Sequence, residues 1–179
     1  MLKDELNKFG EDLVRNTRSK LSQKGKNVSG VLMDSIRYEV VPTEEGFILE
    51  FWMMEYGYYQ DEGVRGADPS AFKYAETGKT GKQKAPNSRF HFGSGKGKGS
   101  LFKGLDGWIV RKGLAPRKNN RFTSRKSMKY AMARSIYLQG IEPSGFFTEA
   151  WNETLGTIDE DLAKGIAEEA EKLYFELIH

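Results

Sequence analysis

The chain has 179 residues, 12% of them aromatic, with 28 Lys and Arg against 25 Asp and Glu, so it is long enough to bury one core and close to neutral at +3. It has no cysteine and two histidines, His91 and His179, which excludes disulfide, thiolate and sulfur-ligated metal chemistry and leaves a histidine site poorly supplied. Mean hydropathy is −0.62, no apolar run nears the roughly 20 residues of a membrane helix, and Met1–Glu5 lacks a basic start and apolar core, so the expectation is a soluble protein made in a cytoplasm.

Leu2, Leu6, Phe9, Leu13 and Leu21 recur at helical spacing with charged residues between them, and predict an amphipathic helix that Gly25 and Gly30 stop. Ile36, Tyr38 and Val40 alternate with Arg37, Glu39 and Val41 between Ser35 and Val41 and predict a half-buried strand that Pro42 closes. Glu44-Glu45-Gly46 reads as a hairpin turn. Phe47 to Met54 is apolar on nearly every residue and predicts a central strand covered on both sides. Tyr56 to Gly63 reads as a tyrosine-dense turn at a core edge. Asp61, Glu62 and Asp68 lack both a calcium-loop spacing and a partner base, so no metal site is expected there.

From Gly78 to Gly140 the charge is segregated: this stretch holds 16 of the 28 Lys and Arg and a single acid, Asp106, a formal charge of +15. Such a block neutralises phosphates or pairs with an acidic surface; the bland alternative is a solvated loop. Gly78-Lys79-Thr80 and Gly93-Ser94-Gly95-Lys96-Gly97 look like phosphate-cradling loops, but Lys73 stands where the first motif needs glycine and Gly97 where the second needs Ser or Thr. Phe90, Phe92, Phe102 and Trp108 are interleaved with Lys84, Arg89, Lys96, Lys98, Lys103, Arg111 and Lys112, a mixture suited to stacking on bases or to pinning the loop to its own domain. Glycine cannot hold itself in place, so part of the stretch is expected to order against a partner.

Ser124 is placed to cap a helix with Met128, Ala131, Met132, Ser135 and Ile136 on one face and Gly140 as its left-handed stop. After the turn Ile141 to Gly145, Phe146-Phe147 opens a long amphipathic helix with a stripe of Trp151, Leu155, Ile158, Leu162, Ile166, Leu173 and Leu177. Its other face carries an acidic ridge from Glu153 to Glu176, opposite in sign to the basic stretch. The whole reads as a single α+β domain over 1–179. It has an N-terminal amphipathic helix, a small antiparallel sheet with a central hairpin, a long C-terminal amphipathic helix, and a basic Gly/Lys-rich insertion over 78–123 that is largely loop.

The order of these signals resembles the neck and tail-completion (head-tail joining) family of tailed bacteriophages. Ser29-Gly30-Val31-Leu32-Met33-Asp34-Ser35-Ile36-Arg37 is similar to the family's approach to its first strand, and Tyr58-Tyr59-Gln60-Asp61-Glu62-Gly63 to its tyrosine-rich turn. Ala131 to Tyr137 with Gly140-Ile141-Glu142-Pro143 resembles a helix and turn of some members, and Phe146-Phe147-Thr148-Glu149-Ala150 the start of their last helix. The basic insertion departs from the compact members.

The resemblance implies a structural virion protein of the neck or tail region, made in the host bacterial cytoplasm. Its partners would be copies of itself in a hexameric or dodecameric ring, other connector and tail proteins, and packaged DNA without sequence preference. No membrane, cofactor, metal or catalytic residue is expected, since no residue set has catalytic spacing. Assembly or DNA contacts are assigned to Lys96, Lys98, Arg111, Lys112, Arg117, Lys118, Phe146 and Phe147, the two phenylalanines dividing between core and subunit contact because adjacent residues point apart. The alternatives are a sequence-independent nucleic-acid-binding protein working through the basic insertion and, behind it, a metal-dependent nuclease, for which the acids are poorly placed.

Overall fold

The structure is a computed structural model that describes residues 2–26, 29–44, 46–74, 76–93, 100–114, 117–118, 121–122, 124–157, 163, 165 and 167. Its fold is mixed helix and sheet. In chain order come α1 (Leu2–Gln23), α2 (Val31–Ser35), β1 (Arg37–Thr43), β2 (Gly46–Trp52), α3 (Tyr56–Glu62) and β3 (Val64–Arg65). A 3-10 turn at Pro69–Ala71 leads on to α4 (Ser100–Arg111), β4 (Arg117–Lys118), β5 (Arg121–Phe122), α5 (Arg125–Gln139), β6 (Gly140–Ile141) and α6 (Phe146–Leu155).

The chain forms two compact units: Met1–Met54 with Phe146–His179, and Glu55–Gly145. In sequence the second is inserted between the hairpin and the final helix. The division also sorts charge. Glu55–Gly145 has 18 Lys and Arg against 7 Asp and Glu, or +11, and the discontinuous unit has 10 against 18, or −8.

In the discontinuous unit, Gly10, Leu13, Thr17 and Leu21 form the buried line of α1, which packs on α6 and β1. Spacings of three and four put them on one face. Gly10 lets a ring lie directly on the helix, since a Cβ there would stand 2.4 Å from Tyr38. Leu21, Leu32, Ile36 and Phe146 make the core, with Val14, Met33, Met53 and Phe147 packed against it. Phe9 and Phe51 each meet Trp151 edge-on at 5.9 Å.

The hairpin pairs Arg37 with Trp52 through to Thr43 with Gly46, so Pro42 sits inside β1 opposite Phe47 and does not close the strand. Proline is tolerated in this position because β1 is an edge strand in a two-stranded sheet. The same fact corrects the reading of Phe47 to Met54 as covered on both sides. Tyr38, Val40, Leu49 and Phe51 share one face by register, and α1 packs on that hairpin. On the other face Ile48 is 51% exposed and Trp52 49%.

Helix α2 covers Val31–Ser35, a stretch to which the sequence patterns assign no element, and α3 replaces the expected tyrosine turn. Helix α6 ends at Leu155, with Gly156 and Thr157 in a turn, so its described part is ten residues long. Ile158, Leu162, Ile166, Leu173 and Leu177 of the expected stripe lie outside the described residues; of the later chain, Gly165 is helical and buried beside Leu2.

In the inserted unit, α4 occupies part of the stretch read as loop, with Leu105 and Ile109 buried, and packs with α5. Ser124 caps α5 as expected, its Oγ accepting from the Ser127 N–H at 3.1 Å. Met128, Met132, Ser135 and Ile136 are half-buried, whereas Ala131 faces out. Gly140 stops the helix at φ 94° and ψ −174°, an extended positive-φ form in place of the expected left-handed one. It continues directly as β6 beside β3, where a side chain would strike the Val64 carbonyl.

Candidate functional site

The eight residues singled out from the sequence are divided between the two units, and two of them lie outside the described residues. Phe146 and Phe147 belong to the discontinuous unit. Phe146 is fully buried in its core, while Phe147 is half-buried, with its ring 6.4 Å from that of Phe51 and 6.2 Å from that of Trp151. Lys96 and Lys98 lie outside the described residues. Arg111 and Lys112 are exposed at the end of α4, where Gly113 turns the chain at φ 61°. Arg117 and Lys118 form β4, paired with Phe122 and Arg121 of β5. A cationic run therefore passes from the tip of α4 into a short hairpin.

The remaining charges of the inserted unit are partly neutralised from within. Asp106, the single acid of the basic stretch, accepts a hydrogen bond from Lys129 Nζ at 2.5 Å, and that ammonium also lies 4.0 Å from the centre of the Phe102 ring. This ties α4 to α5 through a lysine whose side chain is only 12% exposed. Arg89 donates to Glu62 at 2.7 Å and covers Phe90, which meets Tyr59 edge-on. Asp68 accepts from the amides of Ser70 and Ala71, and the Ser70 hydroxyl first, then those amides, hold its carboxyl below the usual range. Of the three acids considered for a metal, Glu62 and Asp68 are thus engaged in other contacts and Asp61 is buried. Among the described residues no three His, Cys, Asp or Glu gather where they could hold an ion.

The acidic ridge also turns partly inward. Glu153, its first residue, accepts from Lys20 of α1 at 2.5 Å, and Glu149, which precedes the ridge, accepts from Lys24 just past the end of α1 at 2.6 Å. Each bond favours its charged form: Glu153 raises the Lys20 pKa, and Lys24 lowers that of Glu149. The rest of the ridge from Asp159 onward lies outside the described residues, apart from positions 163, 165 and 167.

A cleft that the sequence reading did not assemble lies at the C-terminal end of α5. Its volume is about 580 Å³, and Tyr74, Thr77, Lys79, Thr80, Lys82, Lys84 and Gln139 line it. Backbone bonds fix its wall: Lys73 bridges Thr80, Tyr74 N–H donates to Lys79 O at 3.0 Å, and Gly81 N–H donates to Phe72 O at 2.8 Å. Gln139, 2% exposed, anchors the floor. Its Oε1 accepts from the Tyr74 hydroxyl at 2.8 Å, its Nε2 donates to Ser135 Oγ at 2.9 Å, and its backbone carbonyl accepts from the Lys84 amide at 2.9 Å. The signal available in the sequence was Gly78-Lys79-Thr80, set aside for failing the nucleotide-loop pattern. Gln139 carried no signal, because only folding brings it to residues more than fifty positions away.

Family models, curated proteins and solved structures give no match to this chain.

Proposed function

We propose that this chain is a structural subunit of the ring that joins head and tail in a tailed bacteriophage, acting by assembly and without chemistry. The observation that carries the reading is the open hairpin of the discontinuous unit. Among the described residues β1 and β2 pair only with each other, so both edges present unpaired N–H and C=O groups. The face turned from α1 carries exposed Ile48 and Trp52, and Met54 follows at 45% exposure. Apolar area beside free strand edges suits contact with another protein chain. The order of motifs from Ser29 to Ala150 supplies the link to head-tail joining. The inserted unit, at +11, then faces packaged DNA or an acidic neighbour.

Native mass spectrometry of the purified protein, alone and with virion partners, tests the assignment. Rings of six or twelve copies are the expected species, in the protein alone or once partners are added, and Trp52→Ala with Ile48→Lys should abolish them while the chain stays folded. A 20.3 kDa monomer under both conditions would overturn the proposal.

A further inference from the structure

We infer that the cleft lined by Lys79, Lys82 and Lys84 is a phosphate-binding site that seats a nucleotide unit of a nucleic-acid strand. The inference rests on the DNA-contact part of the proposed function and narrows it to an unpaired stretch of strand, held by residues other than Lys96, Lys98, Arg111, Lys112, Arg117 and Lys118. It does not depend on ring assembly.

Charge and chemistry select the ligand. Three exposed lysines reach one cleft, and none forms an ion pair with a described residue. Among the described residues no carboxylate lines the wall; Glu76, the nearest acid in sequence, sits at the hairpin tip beside Thr77. Thr77 and Thr80 add hydroxyl donors to the same lining, a set that matches the several oxygens of a phosphate. Ammonium groups act as point charges without a fixed fork, so they read charge and leave base identity unread.

Size and rigidity argue for more than a bare ion. A volume of about 580 Å³ exceeds what one phosphate fills, and the wall includes the Tyr74 ring, which is 44% exposed. That ring is held in place, edge-on to Phe72 at 5.1 Å and with its hydroxyl tied to Gln139. A fixed aromatic face beside cations supports a stacked base next to its phosphate, the arrangement that binds single strands without sequence preference. The backbone bonds that close the Lys73–Thr80 hairpin mean that the site forms before the ligand arrives.

The experiment measures fluorescence anisotropy of a labelled oligo-dT strand over a salt series, with competition by dTMP, by duplex DNA and by poly-glutamate. Lys79→Gln/Lys82→Gln/Lys84→Gln should weaken strand binding at least about tenfold and reduce the slope of log K against log salt by about 2, at about 0.7 ion released per lost contact on a single strand. In the wild-type protein the bound strand should protect these three lysines from acylation, a readout independent of whether the variant folds. Competition by dTMP at strand-like affinity would identify a free nucleotide as the source of the phosphate, and competition by the strand alone would identify the polymer; both support the site. Equal competition by poly-glutamate would overturn it, as would unchanged binding and slope in the triple variant. If the triple variant binds normally and glutamine at the six other cations removes binding, the cleft is wrong while the DNA-contact reading stands. If wild-type protein binds no nucleic acid at low salt, both fall, and ring mass still decides the assembly reading.

Discussion

Thr17 lies in the middle of the buried line of α1, fully enclosed, and its hydroxyl has no hydrogen-bond partner among the described residues. An unpaired buried hydroxyl costs about 1 to 3 kcal/mol, whereas valine has the same shape without it. Thr17→Val should therefore raise stability by about 1 kcal/mol, read as a melting temperature about 2 to 4 °C higher. Gly10 makes the opposite case. Alanine there gains about 1 kcal/mol of helix propensity, but its methyl would meet the Tyr38 ring at 2.4 Å, and overpacking of that kind costs about 1 to 3 kcal/mol. Gly10→Ala should be net destabilising in the native background and stabilising when Tyr38 is alanine. A double-mutant cycle by urea melts checks the sign change.

At the scale of elements, α6 is held by its phenylalanine pair and by two ion pairs, to Lys20 in α1 and to Lys24 just past its end. Phe146→Ala removes a fully buried ring and should cost about 3 to 5 kcal/mol; Phe147→Ala, at a half-buried position, should cost clearly less in the monomer and be read again in ring yield. The ion pairs set pH limits. Glu149, held below the usual carboxylate range by Lys24, adds stability that is present above its unfolded value and lost as pH falls through its folded value. Lys20, raised chiefly by its hydrogen bond to Glu153, adds stability present below its unfolded value and lost as pH rises through its folded one. Thermal melts across pH should show Glu149→Gln flattening chiefly the acid limb, with a smaller effect on the alkaline limb because its charge also raises Lys20, and Glu153→Gln flattening the alkaline limb. Both pairs are solvated, so the limbs should be shallow and weaken in salt.

For the whole molecule, the insertion of Glu55–Gly145 makes a further prediction. Its two ends meet within the unit: the Ser144 amide donates to Gln60 O at 2.9 Å and the Gly145 amide to Asp61 O at 3.0 Å. A unit whose ends are adjacent can be removed with a short linker. A chain with a Gly/Ser linker in place of 55–145 should stay folded and melt cooperatively by circular dichroism, and should lose all salt-sensitive DNA binding. Failure to fold would mean that the discontinuous unit depends on the inserted one.

Periodicity alone made α1, β1, β2, the Ser124 cap and the Gly140 stop legible, because helix and strand patterns and caps depend on residues a few positions apart. The buried Phe146 was also in reach, since adjacent rings cannot share a pocket. Tertiary structure decided the rest. Phe47 to Met54 is apolar on nearly every residue whether one face or both is covered, and only the number of strands and the position of α1 leave Ile48 and Trp52 exposed. Lysine counts cannot say which cations converge: Lys129 is spent on Asp106 and Phe102, while Lys79, Lys82 and Lys84 meet around Gln139. That meeting depends on a hairpin and a helix end separated by more than fifty residues, a distance that chain topology closes and local sequence does not record.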